Sequence, residues 1–271
     1  MNDCFQFLTD LIDKVGFSSI STAKAALSSF IMINGKPLGQ HTLTALLMRG
    51  IARQLPRTPK YQTIWDPEQV VQFLRTWAPA RALNLLQLSI KTATLIMLVS
   101  GQRPQILSFL TLDNMVMKRS VITFTIVQNL KHSRANSPAT TVQLRAHPDK
   151  RVCVVNYIKQ YLNRTEKLRK DRQLFITTTK PYNGATLNTM SRWIKIALQK
   201  SGIDVTVFTP GSTRAASANR AINRGVPLQT VLNKAAWQKK STFTTWYKKP
   251  LTKQVSYEKA ILTKPHPKNK K

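Results

Sequence analysis

The stretch FTPGSTRAASANRAINRG, residues 208–225, sets a proline–glycine break, two hydroxyl residues and an arginine at the start of a helical pattern. Ser212 and Thr213 precede Arg214, and Ala215, Ala216, Ser217, Ala218 and Ala221 leave the helix slim enough to pack closely. A helix N-terminus gathers unpaired N–H groups and the positive end of the helix dipole, so an arginine beside it makes a seat for a phosphate. Three other stretches hold residues of matching chemistry. SGQRPQIL (100–107) sets Arg103 after a Gly101–Gln102 turn, and NLKHSR (129–134) places Lys131 and Arg134 in a basic loop. AAWQKKSTFTTWYKK (235–249) carries Trp237 and Tyr247. Opening a phosphodiester needs a nucleophile, charge to offset the non-bridging oxygens, and a proton for the leaving oxygen. Tyrosine can attack phosphorus and store the bond as a phosphoester. Guanidinium groups grip phosphate oxygens bidentately, a lysine can deliver the proton, and an indole N–H can donate to the phosphate. Each residue also has a plain reading: Arg103 as a solvated charge, Lys131 as a backbone-phosphate contact, Trp237 and Tyr247 as core aromatics. Only the joint pattern favours chemistry.

The bulk of the chain points to the partner. Its 271 residues suffice for one sizeable core or two smaller ones, and 42% are apolar. Lysine and arginine number 42 against 11 acids, a formal charge of +31, which favours a polyanion such as nucleic acid. The apolar run TATLIMLVS (92–100) is far too short to span a bilayer. The N-terminus MNDCFQFLTDLIDK lacks the basic region of a secretory signal. Cys4 and Cys153 make no disulfide framework, and the scattered histidines and acids form no metal-ligand pattern.

The elements that must position these residues can be read in outline. Phe5, Leu8, Leu11 and Ile12 share a helical face; 19–33 reads as a helix stopped by Asn34–Gly35; 41–55 reads as a third, with Arg49 and Arg53 on one side. Residues 56–65, with two prolines and no periodicity, read as a linker. Asp66, Pro67 and Glu68 then form a strong helix start. A buried helix spans about 82–100, and strands at 121–127 and 140–146 form a hairpin around the basic loop 129–138. Helices are expected near 152–170, 186–201, 212–224 and 227–236, and the lysine-rich end, 251–271, reads as a disordered basic tail.

In their order along the chain, the four stretches resemble the tyrosine recombinase (integrase) family, most closely recombinases of eukaryotic mobile elements. The resemblance matches the family's two arginines to Arg103 and Arg214, its hairpin lysine to Lys131, its histidine-or-tryptophan position to Trp237 and its nucleophile to Tyr247. It covers about 66–250 as a catalytic domain and, more loosely, 1–55 as a helical, SAM-like core-binding domain. The implied fold is mainly α with a small antiparallel β-sheet: a helical core-binding domain plus an α+β catalytic domain. The implied activity is site-specific breakage and rejoining of DNA through a covalent 3′-phosphotyrosine, with no cofactor and no metal. Double-stranded DNA, clamped between the two domains, is the implied partner, bound by a tetramer that exchanges C-terminal segments. Arg49, Arg53, Lys60, Arg134 and Arg220 are the candidate DNA contacts. The implied location is the nucleus in a eukaryote, or the cytoplasm or nucleoid in a prokaryote. Two positions depart from the family: Gly211 stands where it has a histidine three residues before Arg214, and Ile106 where a carboxylate often follows the first arginine. Gly211 leaves open a degenerate or domesticated relative that binds DNA without cutting it. A generic RNA-binding protein and a type IB topoisomerase are the more distant alternatives.

Overall fold

The computed structural model describes residues 2–128 and 139–252. The chain divides into two compact units, Met1–Lys60 and Tyr61–Lys271.

The first unit is built from α1 (Asn2–Asp10), α2 (Phe17–Phe30) and α3 (Thr42–Gln54), with Leu8, Ile20 and Ile51, one from each helix, meeting in its core. Between α2 and α3 lies a minimal hairpin, β1 (Met32–Ile33) and β2 (Lys36–Pro37). Asn34–Gly35 therefore does not stop a helix, as the sequence suggests. Both residues have positive φ, 48° and 73°, the conformation of a two-residue hairpin turn. The helix ends earlier because Ile31 is already extended. Arg49 and Arg53 sit one turn apart on the exposed side of α3.

The second unit starts inside the segment that reads as a linker. Ile64 and Trp65 are buried in its core and Tyr61 packs against it; the prolines on either side conceal two large apolar anchors. Asp66 caps α4 (Pro67–Thr76) by accepting from the Glu68 N–H at 2.9 Å. A 3-10 turn (Ala80–Ala82) leads to α5 (Leu85–Ser100), buried almost all round and started by a capping box between Asn84 and Gln87. After a second 3-10 turn (Pro104–Phe109) come β3 (Met115–Met117), β4 (Val121–Ile126) and β5 (Thr140–Arg145), an antiparallel sheet in the order β3-β4-β5. Ile122, Phe124 and Ile126 face inward and pair with Leu144, Val142 and Thr140. β3 escapes the sequence reading because three residues cannot display alternation. Next are α6 (Val154–Thr165), α7 (Leu187–Lys200), α8 (Ser212–Asn223), α9 (Leu228–Lys234) and α10 (Lys240–Trp246). α5 packs on α6, α7 and α8, making it the hub of the unit. Beyond α10, Leu251 is buried and bridges to Ile64, with the Ile64 N–H donating to Pro250 and the Thr252 N–H to Ile64. The segment expected to begin the basic tail at 251 thus begins in the core.

Inside α5 lies a fully buried lysine. Lys91 donates to the carbonyls of Leu74 (2.6 Å) and Trp77 and to the Tyr157 hydroxyl (2.7 Å), matching three hydrogens to three oxygens. It thereby caps the end of α4 and joins α4, α5 and α6. Burial pulls its pKa from 10.5 to about 7, with the attraction of Asp149 opposing. Lys91→Met keeps the volume but orphans these oxygens. A loss of about 3 kcal/mol is expected, read as a lower urea midpoint with unchanged m-value.

Candidate active site

The first turn of α8 is not an open phosphate seat. Gly211 is itself helical (φ −65°, ψ −20°), so the turn before α8 already closes on itself. The N–H groups of Ser212, Thr213 and Arg214 donate to the carbonyls of Thr209 (2.8 Å), Pro210 (3.3 Å) and Gly211 (3.4 Å). The expectation of free N–H donors is thus corrected: those of 212–214 are already engaged. The Trp65 indole N–H also donates to Ser212 Oγ at 2.8 Å, locking the turn to the core. The backbone does not require glycine at 211: a Cβ there would meet only Thr209 Oγ1, at 3.8 Å.

The seat is the Arg214 side chain itself. Arg214 is 2% exposed, yet among the described residues its Nε, Nη1 and Nη2 have no hydrogen-bond partner. Its Cζ lies 4.0 Å from the centre of the Trp237 ring, and the buried Trp237 Nε1 is also unpartnered. Stacking on indole offsets part of the charge but satisfies none of the guanidinium hydrogens. Burial lowers the Arg214 pKa from the usual guanidinium range to about 10, repulsion from Arg103 adds to this, and Tyr247 opposes it. The group stays charged at neutral pH, at a cost on the order of 3 kcal/mol. That cost is fully present at any pH below about 10, where folded and unfolded chains both hold the proton. An oxyanion would satisfy these donors and neutralise the charge together.

Packing brings the other residues to this point. Gly101 ends α5 at φ 62°, and a Cβ on it would lie 3.2 Å from that of Ala235, so α5 and the end of α9 approach as closely as glycine allows. Gln102 Nε2 donates to the Lys234 carbonyl at 2.9 Å, fixing the turn that leads to Arg103. Lys234 Nζ donates to the Gln143 carbonyl on β5, tying the hairpin to the same corner. The Trp237 N–H returns to the Leu232 carbonyl (2.9 Å), and the Trp237 ring meets Phe243 and Tyr247 edge-on at 4.9 and 5.1 Å. Tyr247 is half-buried at the end of α10. Arg103, Arg214, Trp237 and Tyr247 therefore form one cluster. Lys131 and Arg134 lie outside the described residues. Ile106, at the position where the family often has a carboxylate, is buried in the core.

The remaining candidates lie elsewhere. Arg49, Arg53 and Lys60 are exposed residues of the first unit. Arg220 is engaged by carboxylates, Asp66 at 3.0 Å and Glu68 at 2.7 Å, and joins α8 to the start of α4. Its guanidinium thereby makes a structural contact between the two helices. Reading the sequence also missed Asn219, which is buried and bonded to the Tyr247 carbonyl and the Lys249 N–H. The available signal was an asparagine, a weak helix former, set amid the alanines of α8.

Residues 64–254 match the model of the phage integrase family. The chain belongs to that family. Its fold is shared with solved tyrosine recombinases at low identity. The Tn1549 transposon integrase in complex with transposon right end DNA aligns at TM-score 0.57 and 16% identity, over 96% of this chain and 82% of that one. XerA recombinase aligns at 0.53 and 15%, over 95% and 88%. A lambda integrase tetramer bound to a Holliday junction aligns at 0.54 and 10%, over 94% and 67%. A search of the curated proteins gave no significant match.

Removing the buried guanidinium should relieve a burden on the fold. Arg214→Leu is expected to be at least as stable as wild type in chloride. It should also lose the extra stabilisation that wild type gains from inorganic phosphate at equal ionic strength. Thermal melts of both proteins in both salts check this. A loss of more than about 2 kcal/mol in chloride would mean that the guanidinium is satisfied in the empty protein.

Proposed function

We propose that this integrase-family chain is an active site-specific DNA recombinase of a mobile element. In this reading it cuts and rejoins strands through a 3′-phosphotyrosine on Tyr247. The observation that carries the reading is the buried, unpartnered Arg214 beside Arg103, Trp237 and Tyr247. Double-stranded DNA as partner, and assembly into a tetramer on it, draw support from the DNA complexes of the structural relatives and from the charge of +31.

The chemistry follows from the side chains. The scissile phosphate enters between Arg103 and Arg214, whose charges offset that developing on its non-bridging oxygens. Preorganised donors of this kind are worth about 3 kcal/mol each in a dry site. Trp237 Nε1 supplies a further donor. Tyr247 Oη attacks phosphorus, the bond to the 5′ oxygen breaks, and Lys131 gives that oxygen its proton. The phosphotyrosine keeps the ester energy, so a 5′ hydroxyl can reverse the step without ATP. Because the Arg214 nitrogens are shut off from solvent, phosphate entry requires the cover over them to yield.

A pool of nicked suicide duplexes of randomised sequence tests this. Wild type should form an SDS-resistant adduct at a 3′ phosphate. Tyr247→Phe should abolish the adduct while duplex affinity stays within about twofold, since one hydroxyl adds little to a phosphate-dominated interface. An adduct that survives in Tyr247→Phe, or that maps to Tyr257, would assign another nucleophile. A wild type that binds duplex but never forms the adduct would leave the non-cutting reading.

Gly211 makes a second test possible. With no imidazole there, the nucleophile loses its proton to water or to another group, and unassisted attack speeds up as rising pH supplies hydroxide to take that proton. The helical backbone and open space at 211 accept a side chain. Gly211→His should fold, cleave about 10²-fold faster at neutral pH and flatten the pH–rate profile. A folded variant with neither change would show that another group already manages the proton.

A further inference from the structure

We infer that Asn219 is the positioning residue for the nucleophile: its amide fixes the Tyr247 carbonyl and the segment just after it relative to the arginine that holds the phosphate. The inference rests on the cleavage reading above.

Asn219 lies on α8 five residues after Arg214 and is 3% exposed. Its amide is fully used. Nδ2 donates one hydrogen to the Ala215 carbonyl on its own helix (2.8 Å) and the other to the Tyr247 carbonyl (2.7 Å). Oδ1 accepts the Lys249 N–H at 3.0 Å. The bond to Ala215 holds the rotamer; the other two clip residues 247 and 249.

These bonds matter because of where Tyr247 sits. It follows α10, a helix of seven residues, at the point where the helix ends and its last carbonyls lose their partners. So short a helix fixes little by itself. The Tyr247 N–H and the Lys248 N–H both return to Phe243 (2.9 Å each), closing the helix from within. The Asn219 side chain bonds the Tyr247 carbonyl, and it comes from the element that carries Arg214. The next fixed point along the chain is the pairing of 250–252 with Ile64. One rigid helix thus places both the phosphate holder and the backbone of the attacking residue, and their spacing does not depend on the turn between α9 and α10. Small residues at 215, 216 and 218 let α8 come close enough for an amide to reach.

Displacing a nucleophile by about 1 Å can cost about 10²-fold in rate without touching substrate affinity. Asn219→Leu keeps the bulk and removes the amide; Asn219→Ser, a small residue like its neighbours on α8, serves if leucine does not fold. Both should slow single-turnover adduct formation on the nicked duplexes by about 30–100-fold. Duplex affinity and the Arg214-dependent stabilisation by phosphate should stay at wild-type levels. Wild-type rates in both folded variants would overturn the inference, as would parallel losses of rate and affinity, which indicate mere destabilisation. If wild type itself forms no adduct, the cleavage reading fails and this inference falls with it. If wild type cleaves and the variants cleave equally well, only the role of Asn219 fails.

Discussion

A guanidinium that cannot lose its charge in the physiological range, buried without a counter-charge, constrains everything near it. Arg214 has no bonded partner for its three nitrogens, and its pKa stays near 10 despite burial and the repulsion of Arg103. Such a group persists only where the surrounding fold supplies stability in excess of its cost. Here the surplus comes from the large core around α5, whose residues pack against α6, α7 and α8. The Trp237 ring lies on the guanidinium, 4.0 Å from its Cζ. It attracts the charge through its π face and leaves the N–H hydrogens unbonded for an incoming oxyanion.

The neighbouring structure follows from the need to hold that charge still. α8 can pack closely because Ala215, Ala216 and Ala218 are small and buried. Trp65 ties its first turn, the carboxylates of Asp66 and Glu68 hold Arg220 one to two turns later, and Asn219 binds the segment that follows α10. Gly101 and Ala235 make the opposing contact that brings the Arg103 turn to the same corner. The cluster is assembled from three distant stretches of chain, each attached to α8 or to the end of α9.

Much of this was legible in the sequence, and what was not has identifiable reasons. The long buried helix, the β4–β5 hairpin and the Asp66–Pro67 start were readable because hydrophobic period and capping chemistry act locally. The cluster of Arg103, Arg214, Trp237 and Tyr247 was readable only through its order along the chain, since no local rule joins residue 103 to residue 247. α10 was missed because KSTFTTW has one buried side chain, Phe243, and no helical period to detect. Ile64 and Trp65 were read as linker because their partners are remote in sequence. The phosphate seat was placed on the N–H groups of α8 because sequence cannot show that Gly211 is already helical. The ion pairs of Arg220 were not legible because its two carboxylate partners lie more than 150 positions away.

The use of the few acids completes the electrostatic picture. With 11 carboxylates against 42 cations, most positive charge cannot be compensated within the chain, so where the acids are placed decides where it is. Asp66 and Glu68 bind Arg220, Asp149 binds Arg75 and Arg151, and Asp113 binds Arg172. Asp171 and Asp204 bind the N–H groups of nearby turns. Each therefore stabilises a turn or a packing contact, and none is among the charges that act on Arg214, which are those of Arg103 and Tyr247. A carboxylate within reach of Arg214 would neutralise the site and stabilise the empty fold, but it would compete with phosphate for the same five N–H hydrogens. The scarcity of acids thus acts locally as well as globally: the charge of +31 suits a polyanion, and no acid is among the charges that act on Arg214.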